Sequence, residues 1–142
     1  MFSPNASIEQ MNQWSVGHLP GLLGIEILLS EPKRLVSQLR IRPEHLAPNG
    51  YLHAATIIAL ADTTAGYGTI VNRPAGSDNF TTIELKANFL STLREGLIQC
   101  EAKLIHDGRT TQVWDVTVTN ADADRTIALF RCTQIILYPH TK

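Results

Sequence analysis

Hydrophobic positions along this chain repeat with two different periods. Between Ile98 and Leu104, the apolar residues Ile98, Cys100, Ala102 and Leu104 alternate with Gln99, Glu101 and Lys103. A period of two marks a strand with one face buried and one face wet. That segment is the second of four strand candidates that close the chain: FTTIELKANFL (80–90), GLIQCEAKLIH (96–106), TTQVWDVTVTN (110–120) and RTIALFRCTQIIL (125–137). His106-Asp107-Gly108-Arg109 and the stretch from Asn120 to Asp124 carry turn chemistry, which predicts antiparallel connections. Upstream, GLLGIEILLSEPKRLVSQLRIR (21–42) reads as two more strands around the turn Ser30-Glu31-Pro32-Lys33. SIEQMNQWSVG (7–17), with Ser7 as a cap and Glu9 and Gln10 in the first turn, predicts a short N-terminal helix.

The segment from His53 to Val71, HAATIIALADTTAGYGTIV, breaks the alternation. Its length and its alanines outweigh a β-branched minority and predict one long helix over 53–71. A proline-rich loop ending at Asn49-Gly50 precedes it, and a Pro/Gly/Asp loop over 72–79 follows. Short helix, two strands, long helix and four strands, with no repeat or linker, read as one α+β domain over 1–142. The simplest arrangement is an antiparallel sheet of about six strands wrapped around the central helix. That helix has no evident polar face and needs cover nearly all round. One curved sheet covers one side, so a second subunit is predicted, most simply in a homodimer.

Composition narrows the function classes. With 44% hydrophobic and 18% charged residues among 142, the chain can bury a core without disulfide or metal staples. A net charge of -1 and the lack of a basic cluster argue against nucleic acid or an anionic membrane as partner. MFSPNASIEQ lacks the basic start and apolar run of a signal peptide, and the long apolar segment carries Asp62 at its middle. A cytoplasmic protein without a membrane span is therefore expected. Cys100 and Cys132 have no metal-ligand spacing and lie in strands, as buried free thiols. His18, His45, His106 and His140 are too scattered for a ligand set, and no metal is expected.

Asp62 is the residue the pattern does not explain. An ionised carboxylate among apolar neighbours loses its hydration and needs a partner or a function. Two readings stand: a surface-facing or salt-bridged aspartate, or a pocket carboxyl whose pKa burial raises toward that of a general base. His53 is likewise either a helix cap or part of a site. The step from His53 to Asp62 rotates about 900° and advances about 13.5 Å, so the two side chains point to opposite sides of one helix. They can meet only across a subunit interface. At the helix start, first-turn N–H groups have no intrahelical partner and the helix dipole is positive. Ala54 and Ala55 are too small to block a carbonyl oxygen from that point, where it would be polarised as in an oxyanion hole.

Gly50-Tyr51-Leu52-His53-Ala54-Ala55, with an acid nine residues after the histidine, resembles the hotdog-fold acyl-CoA thioesterases of the phenylacetic-acid-degradation type. TTIELKANFLSTLREG is similar to that family's strand after the central helix, and HDGRTTQVWDVTVTN to its following hairpin. The resemblance runs from Gly21 to Leu137. It implies a hotdog fold, assembly into dimers and often tetramers, and hydrolysis of acyl-CoA at sites shared between subunits. Coenzyme A enters as part of the substrate, and no other cofactor is implied. By position, the resemblance makes Asp62 the general base or nucleophile and the Ala54 N–H the group that polarises the thioester carbonyl. His53 would fix the loop and orient the substrate, and Thr82 would position the water or the carboxylate. Gly108, Arg109 and Arg94 are candidates for contact with the coenzyme A phosphates or pantetheine. Ile57, Ile58, Tyr67 and Phe89 are candidate pocket residues and equally good core residues. Two departures stand out. Ala47 occupies the position, six before the histidine, where the family carries Asn or Gln, and Asn49 is the candidate substitute. The family's Gly-Gly is replaced by Ala54-Ala55, a milder departure because only their N–H groups are needed, and some relatives also carry a hydroxyl where this chain has Gly66. A non-catalytic protein that binds acyl-CoA or another small ligand is the alternative that Ala47 leaves open.

Overall fold

A computed structural model describes residues 2–140, and the extreme ends of the expected 1–142 domain lie outside those residues. The alternating segments pair as β1 (Glu26–Glu31), β2 (Arg34–Arg40), β3 (Asn79–Phe89), β4 (Leu97–Asp107), β5 (Thr111–Asn120) and β6 (Arg125–Leu137). They form one antiparallel sheet in the order β1-β2-β4-β5-β6-β3, which leaves β1 and β3 as its edges. Alternation decides the two faces. Along β5, Gln112, Trp114, Val116 and Val118 are buried, while the residues between them are half-exposed.

Against the buried face lies one long helix, Ala54–Val71, with His53 as its N-cap. By length and a mean hydropathy of 1.2 it could cross a membrane, but 61% of it is buried within the fold. It packs across β2, β4, β5, β6 and β3, so Leu60, Ala61 and Ala65 share a core with Leu39, Ile98, Cys100, Trp114, Val116 and Phe130. Small residues set the depth of this contact. Gly68 faces the Trp114 ring so closely that an added Cβ would lie 2.6–3.0 Å from three ring atoms.

Two shorter helices flank the core. The N-terminal one, α1 (Ile8–Ser15), starts on a capping box between Ser7 and Gln10, and its Met11 packs on Ile27 and Leu35. The second, α2 (Leu19–Leu23), corrects the sequence reading, which placed residues 21–23 in a strand. Pro20 is tolerated in its first turn, and Gly24 stops it in the left-handed region at φ 78°. The long helix is accordingly the third, α3. The loop before it contains a 3-10 turn, Pro43–His45.

The expectation that α3 is covered nearly all round is met only in part within one chain. The sheet covers one side and α1 one flank. Ala55 is exposed, and Ile58, Ala59, Asp62, Thr63 and Tyr67 are half-buried, a stripe at helical spacing. Edge strand β3 continues the open surface, with Ile83, Leu85 and Phe89 exposed beside Leu90.

Gly68→Ala is expected to lower stability by about 1–3 kcal/mol, the usual cost of overpacking a filled core, because the fully buried Trp114 ring has nowhere to move. Urea unfolding of the variant against the parent measures it.

Candidate active site

Asp62 sits where the sheet stops covering α3. Its carboxyl is half-buried, and its polar partner is the Thr82 hydroxyl of β3, whose Oγ1 lies 3.3 Å from Oδ1. Burial raises the Asp62 pKa above its ordinary value of 3.8, and the Thr82 hydrogen bond opposes that rise without cancelling it. No cation pairs with it among the described residues. Thr82 is aimed by local geometry: the next residue, Ile83, is the extra residue of a β-bulge, and the pairing with β6 shifts there. Thr82 also lies 2.7 Å from Gln134 Oε1 on β6.

A cleft of about 300 Å³ opens beside this carboxyl, lined by Phe2, Asp62, Thr63, Gly66, Tyr67, Ile70, Asn79 and Phe80. An aromatic stack closes one wall: Phe2 meets Trp14 edge-on at 5.0 Å, and Trp14 meets Tyr67 at 5.3 Å. The Tyr67 hydroxyl is held by Ser15 at 2.9 Å. A Cβ on Gly66 would come within 3.2 Å of the Phe80 ring, so the glycine keeps the helix and this wall close. A second depression, about 350 Å³, lies on the outer sheet face beside the Arg131–Asp115 ion pair, remote from Asp62.

The N-terminus of α3 is a second polar feature. His53 Nδ1 accepts the Ala55 N–H at 2.9 Å, so the histidine caps its own helix. The His45 carbonyl accepts from the His53 N–H at 3.0 Å and from the Thr56 hydroxyl at 2.9 Å, tying the preceding loop to the first turn. His45 itself is buried, and desolvation holds its pKa below the ordinary 6.5. Ala54 is exposed, and its N–H has no acceptor among the described residues. An open donor at a helix N-terminus can receive an anion or a developing oxyanion.

The remaining candidates fall into three groups. Tyr67 lines the cleft with Asp62. Ile57 is instead a core residue at 3% exposure, Ile58 packs half-buried against that core, and Phe89 is exposed at the far end of β3. None of these three lines that cleft. Asn49 is not brought to Asp62 either. Its side chain accepts the Tyr51 N–H in a local turn closed by the Ala47 N–H on the Tyr51 carbonyl, five residues before the helix begins at Ala54. Ala47 contributes only a methyl there. Arg94 lies 4.4 Å over the Tyr51 ring at the N-terminal end of α3, whereas Arg109 lies 5.7 Å from the Tyr138 ring. The hairpin carrying Gly108 and Arg109 adjoins the other end of α3, where Gln112 donates to the Asn72 carbonyl. The two arginines thus flank opposite ends of a helix about 27 Å long.

Sequence reasoning missed Gln134, Phe80, Ile70 and Phe2. Gln134 had a signal: it occupies the inward phase of β6 between Cys132 and Ile136, where a polar residue is costly unless paired. The others come together only in the folded cleft.

Residues 49–127 match the family described as Thioesterase superfamily, more than half of the chain. The chain belongs to the thioesterase superfamily. It is 32% identical over 111 residues to the 1,4-dihydroxy-2-naphthoyl-CoA hydrolase of Listeria monocytogenes, covering 78% of this chain and 89% of that protein. A crystal structure of a mutant thioesterase from Pseudomonas aeruginosa superposes with a TM-score of 0.88 at 26% identity, covering 94% of this chain and 95% of that one. A thioesterase structure from Haemophilus influenzae gives 0.87 at 23% identity with both chains fully covered, which speaks to the fold alone. Six antiparallel strands around one long helix are thus the α+β hotdog arrangement of thioesterases.

In this member of the thioesterase superfamily the raised Asp62 pKa has a consequence for stability. Ionised Asp62 costs stability above the unfolded-state pKa, and the cost disappears once both states are protonated. Asp62→Asn is therefore expected to melt higher than the parent at pH 7, with the gap closing as pH falls toward 3.8. Calorimetric melting across that range checks it.

Proposed function

We propose that this chain hydrolyses an acyl-CoA thioester to a free acid and coenzyme A, within the phenylacetic-acid-degradation type of the superfamily. The observation that carries the reading is Asp62: a half-buried carboxyl without a cation, paired to Thr82 at the mouth of an aromatic cleft, with its pKa raised. Such a group takes a proton from water near neutral pH, or attacks the carbonyl itself. Membership of the superfamily and likeness to a CoA-ester hydrolase support the substrate class.

Water attacks the thioester carbon as Asp62 accepts its proton, and the carbonyl oxygen gains charge. The Ala54 N–H, at the positive end of α3, is the donor suited to that charge. Within one chain it lies about 12 Å along the axis from Asp62, too far to serve the same carbonyl. A homodimer resolves this. If two α3 helices cross antiparallel at Ile58, Ala54 of each faces Asp62 of the other, since both positions lie four residues from Ile58. They stand about 40° either side of it, on the half-open stripe. His53 then fixes the donor end by capping it. Arg94 flanks the donor end of the helix and Gly108-Arg109 the other end, so both arms can border the same composite site. They are the proposed contacts for the coenzyme A phosphates or pantetheine. Phe2, Tyr67 and Phe80 favour an apolar or aromatic acyl group.

Ala47 favours a second reading, a protein that binds acyl-CoA without cleaving it, because the family amide that would hold the carbonyl or the water is absent. A panel of acyl-CoA esters separates the two. Thiol release that falls by about a hundredfold or more in Asp62→Asn, with KM little changed, supports hydrolysis. Binding by calorimetry with no thiol release from any ester supports the second reading.

Ala54→Pro isolates the donor. Proline fits the first helical position, and His53 already has the extended backbone, φ -68° and ψ 135°, that a residue before proline adopts. The variant is expected to keep its fold by circular dichroism and lose about a hundredfold in kcat, the cost of one oxyanion donor.

A further inference from the structure

Behind Asp62 lies a second polar layer that the sheet seals from solvent. The Thr82 hydroxyl carries one proton. Two acceptors are within its reach, Asp62 Oδ1 at 3.3 Å and Gln134 Oε1 at 2.7 Å. Gln134 is fully buried and stands directly opposite Thr82 in the β3–β6 register. Its Nε2 donates to Cys132 Sγ at 3.4 Å, two residues back on the same face, and this turns Oε1 toward Thr82. Burial pushes the Cys132 thiol up to about 12, so it remains a neutral, weak acceptor.

One proton and two acceptors make Asp62 and Gln134 competitors. When Asp62 is ionised, Thr82 satisfies it only by turning away from Gln134, which leaves a buried amide oxygen without a donor. When Asp62 is protonated, it donates to Thr82 Oγ1 while Thr82 donates to Gln134, and every group is paired. The shorter contact lies on the Gln134 side.

We propose that Gln134 is a positioning residue: by drawing the Thr82 proton to itself, it makes protonated Asp62 the fully hydrogen-bonded state and so equips Asp62 to take a proton from water. The inference rests on the hydrolytic reading above. In the step it serves, a water O–H bond breaks, its proton goes to Asp62, and the oxygen bonds to the thioester carbon. Coenzyme A leaves as a thiolate and takes the proton back from Asp62. Thr82 rotates toward Gln134 as Asp62 is protonated, and back when the proton departs.

Few other groups could set the Asp62 titration. Among the described residues, the titratable groups on this side are Cys132 on β6 and Tyr67 on α3, whose hydroxyl is bound to Ser15 of α1. Glu84 and Lys86 of β3 and Arg131 of β6 lie on the opposite face, where Glu84 accepts from Thr133 and Arg131 pairs with Asp115.

The pH dependence of kcat/KM reads the proposal. Gln134→Met keeps the volume and removes the competing acceptor, so the Thr82 proton goes to Asp62. The acid limb is expected to move down by about one pH unit, the worth of one hydrogen bond to a charged group. Thr82→Val removes both arms of the competition, so Gln134 loses its hold on Asp62 and the acid limb of the double variant Thr82→Val/Gln134→Met matches that of Thr82→Val alone. An acid limb unmoved in Gln134→Met, or additive shifts in the double variant, overturns it. If Gln134→Met does not fold, the side-chain amide resonance of Gln134 in the parent decides. It should titrate together with the Asp62 carboxyl carbon and lose that titration in Thr82→Val. A Gln134 amide insensitive to Asp62 overturns the proposal equally. Should no ester be hydrolysed, the hydrolytic reading fails, while the resonance titration still tests the coupling.

Discussion

The constraint on which this structure depends is the covering of α3. An all-round apolar helix is stable only when every side is packed, and a single sheet curls around one side. Strands β2 to β6 bury Leu60, Ala61, Thr64, Ala65 and Gly68. The stripe from Ala55 through Ile58 and Ala59 to Asp62 and Thr63 stays half-open. Asp62 lies on this margin, buried enough to lose hydration and open enough to reach a cleft. Its raised pKa follows from that position more than from any charged neighbour.

Close packing on the covered side makes the margin sharp. Gly68 admits the fully buried Trp114 ring, and Gly66 admits Phe80, so the helix sits low on the sheet near its C-terminal half. The bulge at Ile83 then turns the edge strand just after Thr82. Before the bulge, β3 packs against the helix. After it, Leu85 and Phe89 face inward with little of the chain over them. Sheet geometry thus places the carboxyl, its hydroxyl partner and an uncovered apolar surface side by side.

Much of this was legible in the sequence, for identifiable reasons. Turn chemistry and strand-like runs located the six strands, with period-two alternation plainest in the segment that became β4, because a half-buried strand must alternate. The long helix followed from length and composition, whereas His53, open in the sequence between a cap and a site residue, stands one position before the first helical residue as the N-cap. The short α2 was missed because Gly21-Leu22-Leu23-Gly24 carries too few residues to show a period, and its stop signal is a backbone angle at Gly24. At the site, a lone acid in an apolar helix was conspicuous, and the half-turn between His53 and Asp62 was computable from numbering alone. The Thr82–Gln134 pairing was not, since it depends on the register between β3 and β6, strands separated by two others in sequence. Pocket candidates fared worse for the same reason. Ile57 and Tyr67 are both apolar-facing residues of α3, and only the sheet's extent decides that one is core and the other lines a cleft.

The helix also explains why a polar layer can lie behind the carboxyl at all. A hydroxyl and an amide buried in a core are costly unless each finds partners. Here each partner is another member of the same short chain, from Asp62 through Thr82 and Gln134 to Cys132. The Asp62 end opens on the cleft, whereas the Cys132 end is a neutral thiol held so by burial. The chain thus has one end that faces the cleft and one inert end sealed in the core. On the hydrolytic proposal, that asymmetry lets Asp62 gain and lose a proton without disturbing the core that holds it.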